Sequence, residues 1–309
     1  MDETFAPDDA IDKTALKALS RRSDAAGLQQ LAGHGAGLAV TGLAVAWAQG
    51  SVWLIPAMLG HGIVLVFLFS PLHESIHRTA FASRRLNDAV AWLGGLVLML
   101  PPELFRAFHF AHHRHTQDPA RDPELAAGKP ATLTGYLLHV SGLPYWWTRA
   151  ATLVRHAGGR VDEAFIPPRQ HPAIVREARI VLSVYAGIAA VSLAAGSGAA
   201  VLYWLGPVLL GQPALRLYLL AEHTGCPYVP EMLRNTRTTH TTWLMRRLAW
   251  NMPYHVEHHA YPALPFHALP AAHDQLRDKI AVLAPGYIAV HGKLLAALRG
   301  TRKNPSRSF

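Results

Sequence analysis

Four stretches of this chain, Leu31 to Ala48, Val52 to Ser70, Ile180 to Ala200 and Val201 to Ala221, stay apolar for close to the length at which a helix crosses a bilayer, about 20 residues. Inside hydrocarbon a backbone has to satisfy its own polar groups, which commits such runs to helices. The last two abut around Gly196, Gly198 and Ala199, so they read as a hairpin with a very short turn. Two weaker stretches, Ala89 to Leu100 and Leu133 to Trp147, are too short to span and read as re-entrant or interface-lying segments. Tyr136, Tyr145, Trp146 and Trp147 suit the second of these to the headgroup level. With 50% hydrophobic and 16% charged residues, the chain is more apolar and less charged than a soluble protein of its size. The expected fold is an all-α membrane protein with about four transmembrane helices in two hairpins and a cytoplasmic helical cap. The 309 residues read as one domain, with 1–30 as a cytoplasmic N-terminal segment and 300–309 as a disordered tail.

Positive residues collect in segments that stay in the cytoplasm. Of 29 Lys and Arg, 4 fall in residues 1–30, 13 in 71–179 and 11 in 222–309, while the turns near Gly50 and Gly198 carry none. Both termini and the large middle segment therefore read as cytoplasmic, in what is expected to be a bacterial inner membrane. The surplus of +9 fits that topology and contact with anionic membrane lipids. Basic residues are too dispersed, and no reading module is present, for nucleic acid to be a partner. A single cysteine, Cys226, excludes an internal disulfide framework and any cysteine-ligated cluster. The acidic start MDETFAPDD offers no cleavable signal peptide.

Against this background stand three histidine motifs: His73 and His77 in HESIH, His109, His112 and His113 in HFAHH, and His255, His258 and His259 in HVEHH. Spacings of three and four residues place each group on one face of a helix. Two crossings separate the second motif from the third, so parity returns all three to the same membrane face. A further histidine, His223, ends the fourth apolar run on that side. Nine imidazoles exceed what one ion accepts and suit two. Nitrogen donors serve iron, copper, nickel and zinc, and so rich a set favours iron over four-coordinate zinc. Metal-bound imidazole passes its second N–H to a neighbouring acceptor. Glu74, Asp118, Asp122 and Glu257 are candidates for that role, with His115 as a supporting group and Asn251 either holding a water or capping a turn. His240, His267, His273 and His291 read as ordinary polar positions, and His34 and His61 as bonds between neighbouring helices.

HExxH, HxxHH and a distal HxxHH, ordered around two pairs of apolar runs with EH at the end of the fourth, resemble the integral-membrane fatty acid desaturases and their hydroxylase and ketolase relatives, over roughly Leu31 to Leu269. That resemblance implies a di-iron centre ligated by the eight motif histidines and His223. Dioxygen would be the co-substrate, and an acyl lipid or another long-chain apolar molecule the substrate. No electron-carrying domain is visible, so a separate donor is expected, a ferredoxin or small haem protein. The continuation TQDPARDPEL and the motif NMPYHVEHHAYP look most like bacterial acyl desaturases, although carotenoid hydroxylases and ketolases share much of both. Two other classes compete. HESIH is also the zinc-protease pattern, in which Glu74 would be general base, but that reading leaves both HxxHH motifs without a task. A metal transporter would carry its ligands along the spans, where only His34 and His61 lie.

Overall fold

The computed structural model describes residues 10–301. The acidic start and the tail from residue 302 lie outside the described residues; Gly300 and Thr301 end the last helix, Tyr287–Thr301. The structure is helical almost throughout, and its only sheet among the described residues is a parallel pairing of Thr238–Thr239 with Leu283–Ala284. Two compact units emerge, each assembled from separated stretches. One consists of Ser23–His109 and Gly142–Leu215; the other is formed by the described parts of Met1–Arg22, Phe110–Ser141 and Arg216–Phe309.

The first unit holds three helices long and apolar enough to cross a membrane: Asp24–Ala48, Leu54–His77 and Pro168–Ala194. Their surfaces explain why the medium must be lipid. Val40, Leu43 and Trp47 on one helix, and Val191 and Leu193 on another, are each more than two-thirds exposed, an apolar display that water would penalise. The first helix is capped by Ser23, whose hydroxyl accepts the Ala26 N–H. Polar side chains inside the apolar runs bond across helices. His34 Nε2 lies 2.9 Å from the Val64 carbonyl, and His61 meets the Thr41 hydroxyl at 2.8 Å and the Tyr203 carbonyl at 3.1 Å.

The chain departs from the expected spans in two places. Arg84–Leu98 and Pro102–His115 pass the length and apolarity test together as a pair bent by 95°. The segment expected to end near Leu100 thus continues past a break into the helix that carries the second histidine motif; the Pro101–Pro102 pair accounts for the break, since proline supplies no N–H to a continuing helix. The expected fourth span does form a helical run, a π-helical turn Val201–Leu205 followed by Gly206–His223, but it is less apolar than the other three. Gln212, Pro213 and Arg216 dilute it. The weaker stretch 133–147 becomes two helices, Leu133–Ser141 and Leu143–Ala157, broken at Gly142, whose φ of 73° is a left-handed conformation that glycine adopts freely.

In the second unit, apolar packing gathers around the final helix. Tyr136, Leu220 and Leu298 form one cluster, and Ala221, Ala284 and Val290 another. The Tyr136 hydroxyl meets His291 Nδ1 at 2.9 Å, and His291 Nε2 donates to the Leu217 carbonyl, so three segments are pinned together.

A candidate metal centre

The first unit contributes His73, His77 and His109. One ring nitrogen of each lies within 4.8 Å of the others, and the rings pack edge-on with centroids 4.3 to 5.1 Å apart. Phe69 stacks on His73 at 5.8 Å and Phe105 lies 5.4 Å from His109, an aromatic wall that keeps water from the imidazoles. His73 and His77 sit one turn apart on Phe69–His77, which ends at Arg78 in left-handed conformation. Glu74 is wholly buried on the same helix.

The remaining motif histidines and His223 lie in the second unit. His112, His223 and His259 each present a nitrogen within 4.8 Å of the others. His223 Nε2 is faced by His112 Nε2 at 3.2 Å and by His255 Nε2 at 3.1 Å. His258 Nε2 and His113 Nε2 approach to 3.1 Å, and the His113 and His259 rings stack at 4.1 Å.

The surroundings of these rings fix which nitrogen is offered. Asp122 Oδ1 accepts the Nδ1–H of His112 at 2.9 Å, leaving Nε2 as a lone pair. The carboxylate is itself held by the Gln117 and Glu124 backbone N–H groups, each at 2.9 Å. Thr116 gives its hydroxyl hydrogen to the His112 carbonyl at 2.7 Å, so its oxygen can accept the Nδ1–H of His259 at 3.2 Å. His259 Nε2 then remains buried with no hydrogen-bond partner among the described residues. Glu222 Oε1 lies 3.4 Å from His255 Nδ1. His223 Nε2 stands between the His112 and His255 nitrogens, and a single ring proton there cannot serve both contacts, so lone pairs meet. Such a donor set fits a cation. Burial, followed by the neighbouring imidazoles, holds His259 well below its ordinary pKa, so it stays in the neutral, ligating form.

The remaining expected residues have other neighbours. Asp118 is bonded to Arg121 at 2.7 Å and to the Ala120 N–H, which hold its carboxyl below the ordinary range. Glu257 is buried, accepts the Thr238 hydroxyl at 2.5 Å and pairs with His273 Nδ1, so it ties the His255–Ala260 helix to the strand and to Leu269–Leu276. Asn251, at φ 56°, donates to the Phe266 carbonyl and shapes the turn ahead of His255. His115 is half-buried, and its Nδ1 has no hydrogen-bond partner among the described residues. Motif reading missed Thr116 and Gln117 as orienting groups. It also missed Glu222 beside His255 and Glu124, which stands at the opposite nitrogen of the His112 ring from Asp122, its Oε2 3.4 Å from Nε2 and its other oxygen on Lys129. Burial acts to raise the Glu124 pKa, but Lys129 and the histidines His112 and His223 outweigh it and hold the carboxyl below its ordinary value.

The sequence profile of the fatty acid desaturase family matches residues 46–291, and the chain belongs to that family. It is also similar to the sn-1 oleoyl-lipid 12-desaturase of Synechocystis sp., at 24% identity over 240 residues, a match covering 70% of this chain and 66% of that relative.

Proposed function

We propose that the protein is an oxygen-dependent di-iron oxidoreductase that introduces a double bond into the acyl chain of a lipid. The observation that carries this reading is the preset chemistry of the buried imidazoles: Asp122 and Thr116 each orient a motif histidine so that its Nε2 lone pair is offered inward. Family membership and the acyl-lipid relative supply the reaction class. His73, His77, His109, His112, His113, His223, His255, His258 and His259 are the proposed ligands of two iron ions. Bound there, the pair would supply dioxygen activation with two electrons from a separate donor, a ferredoxin or small haem protein. The protein's own tasks are to hold the imidazoles buried, with His112 and His259 in set tautomers, to exclude water with Phe69 and Phe105, and to keep a methylene pair in register. The distribution of Lys and Arg supports an inner-membrane placement with the histidines and both termini facing the cytoplasm.

Expression in a bacterium followed by mass analysis of total lipids tests the reading. A new lipid lacking two hydrogens is expected, together with iron in the purified protein. Gain of one oxygen would make the enzyme a hydroxylase or ketolase, and a single zinc with no lipid product would count for hydrolysis at HESIH. His258→Ala should abolish the product while the protein still inserts in the membrane; an unchanged product would defeat the proposal.

A further inference from the structure

The second unit holds a cavity of about 1260 Å3, with His223 among the residues that line it. Its size exceeds the roughly 300–1,000 Å3 of ordinary small-molecule pockets and suits a whole lipid better than a single chain. Much of the wall is apolar, built by Leu133, Leu220, Val282 and one stripe of the final helix that carries Val290, Leu294 and Leu298. Within it stand three cations, Lys129, Arg237 and Lys293, and no carboxylate lines it among the described residues.

The three cations differ in what already holds them. Lys129 is committed to Glu124. Arg237 is only 9% exposed and donates to the Ala221 and Thr224 carbonyls, with no carboxylate beside it among the described residues. A guanidinium carries five N–H donors, so it has capacity left over. Lys293 has no ion-pair partner among the described residues and is the one charged position on the cavity-facing stripe of Tyr287–Thr301. A cavity with an apolar wall, positive side chains and a proposed metal-ligating histidine in its lining matches an amphiphile whose head is an oxyanion. Phosphate is the head that lysine and arginine recognise best.

We infer that this cavity receives the substrate as a glycerophospholipid, with Arg237 and Lys293 reading the phosphate while the acyl chain lies along the apolar wall toward His223. This assignment rests on the lipid-desaturase reading above and narrows it to phosphate-bearing lipids over neutral glycolipids, diacylglycerol and free fatty acids.

Lipid retention by the purified full chain tests the inference without turnover. The protein is incubated with equal amounts of phosphatidylglycerol, diacylglycerol and a free fatty acid, and the retained lipid is extracted and quantified. Wild type is expected to prefer phosphatidylglycerol. Lys293→Glu, placed on an exposed helix position, should cut that preference by about tenfold, since like charges now meet, with an unchanged melting temperature as the folding control. Lys293→Arg should preserve it. Equal retention of all three lipids, a preference for the free acid or the neutral lipid, or an unaltered preference in Lys293→Glu would overturn the inference. The two readings fail separately. A chain that retains phosphatidylglycerol but forms no unsaturated product keeps the cavity assignment and loses the desaturase one. A chain that forms product with no preference among heads does the reverse.

Discussion

Asp122 meets His112 at 2.9 Å, carboxylate oxygen to Nδ1, inside a shell where the backbone N–H groups of Gln117 and Glu124 hold the same carboxylate. An acceptor so fixed leaves the imidazole one tautomer. Asp122→Asn replaces one of the two acceptor oxygens by an NH2 that opposes a backbone N–H and removes the charge that favours this tautomer, so the hold on the ring weakens. Loss of such an orienting partner typically costs about 10–100-fold in metal affinity. Titrating the bound metal out of the purified protein with a chelator should show a drop of that order, and equal retention by the variant would remove Asp122 from the site.

Glu177 reaches the start of the helix that bears the second histidine motif. Its oxygens accept the Glu103 N–H at 3.0 and 3.1 Å and the Leu104 N–H at 3.3 Å, which satisfies donors a helix start leaves open and places negative charge at the positive end of its dipole. Removing such a cap costs about 0.5–2 kcal/mol. Glu177→Ala should lower the melting temperature and, because His109, His112 and His113 ride on the same helix, the metal content as well. Glu177→Gln, which keeps one acceptor, should fall between. Wild-type values for both quantities in the alanine variant would show that the cap is idle.

The sequence made some of this legible and hid the rest for a physical reason. Apolar runs and histidine spacing are local, and both are written in consecutive residues, so three spans and three motifs could be read directly. The orienting partners depend on encounters between distant residues. Glu222 precedes His223 yet lies beside His255, and Thr116 serves His259 across 143 positions. Neither threonine nor glutamate carries a signal of its own at such a distance. Span ends were read less well, because apolarity says where a helix can lie in lipid but not where it continues: Leu54–His77 runs on past Ser70, where the continuous apolar run ends, and takes His73 and His77 with it.

Gly62 and Gly211 mark the closest helix contact in the first unit. A Cβ on Gly62 would fall 1.9 Å from the Pro207 carbonyl oxygen, and one on Gly211 would fall 2.2 Å from the Gly62 carbonyl carbon. Both obstacles are backbone, so relief requires the helices to separate. Small residues permit this approach, and in lipid it is packing rather than hydrophobicity that holds helices together. Gly62→Ala and Gly211→Ala should each destabilise by about 1–3 kcal/mol, read as a lower melting temperature in detergent. The double variant should cost less than the sum, since one displacement accommodates both methyls. Full additivity would place the two glycines in separate contacts.

Glu163 should make part of the stability depend on acid. It pairs with the Arg155 guanidinium and with His156 Nε2 at 2.9 Å. Burial pushes its carboxyl up, but the bonds from Arg155 and His156 outweigh it and hold the pKa below the ordinary value. A carboxyl depressed in the folded state binds protons more readily when unfolded, so its contribution is present above the unfolded pKa of about 4.3. It is lost as pH falls from there through the lower folded value. Many other groups titrate over the same range, so the difference between wild type and Glu163→Gln isolates this one. Melting temperatures measured from neutral pH downward should show wild type ahead of the variant above the carboxylate range, with the gap closing below it. A gap that stayed constant through that range would mean that the Arg155 and His156 contacts confer no charge-dependent stability.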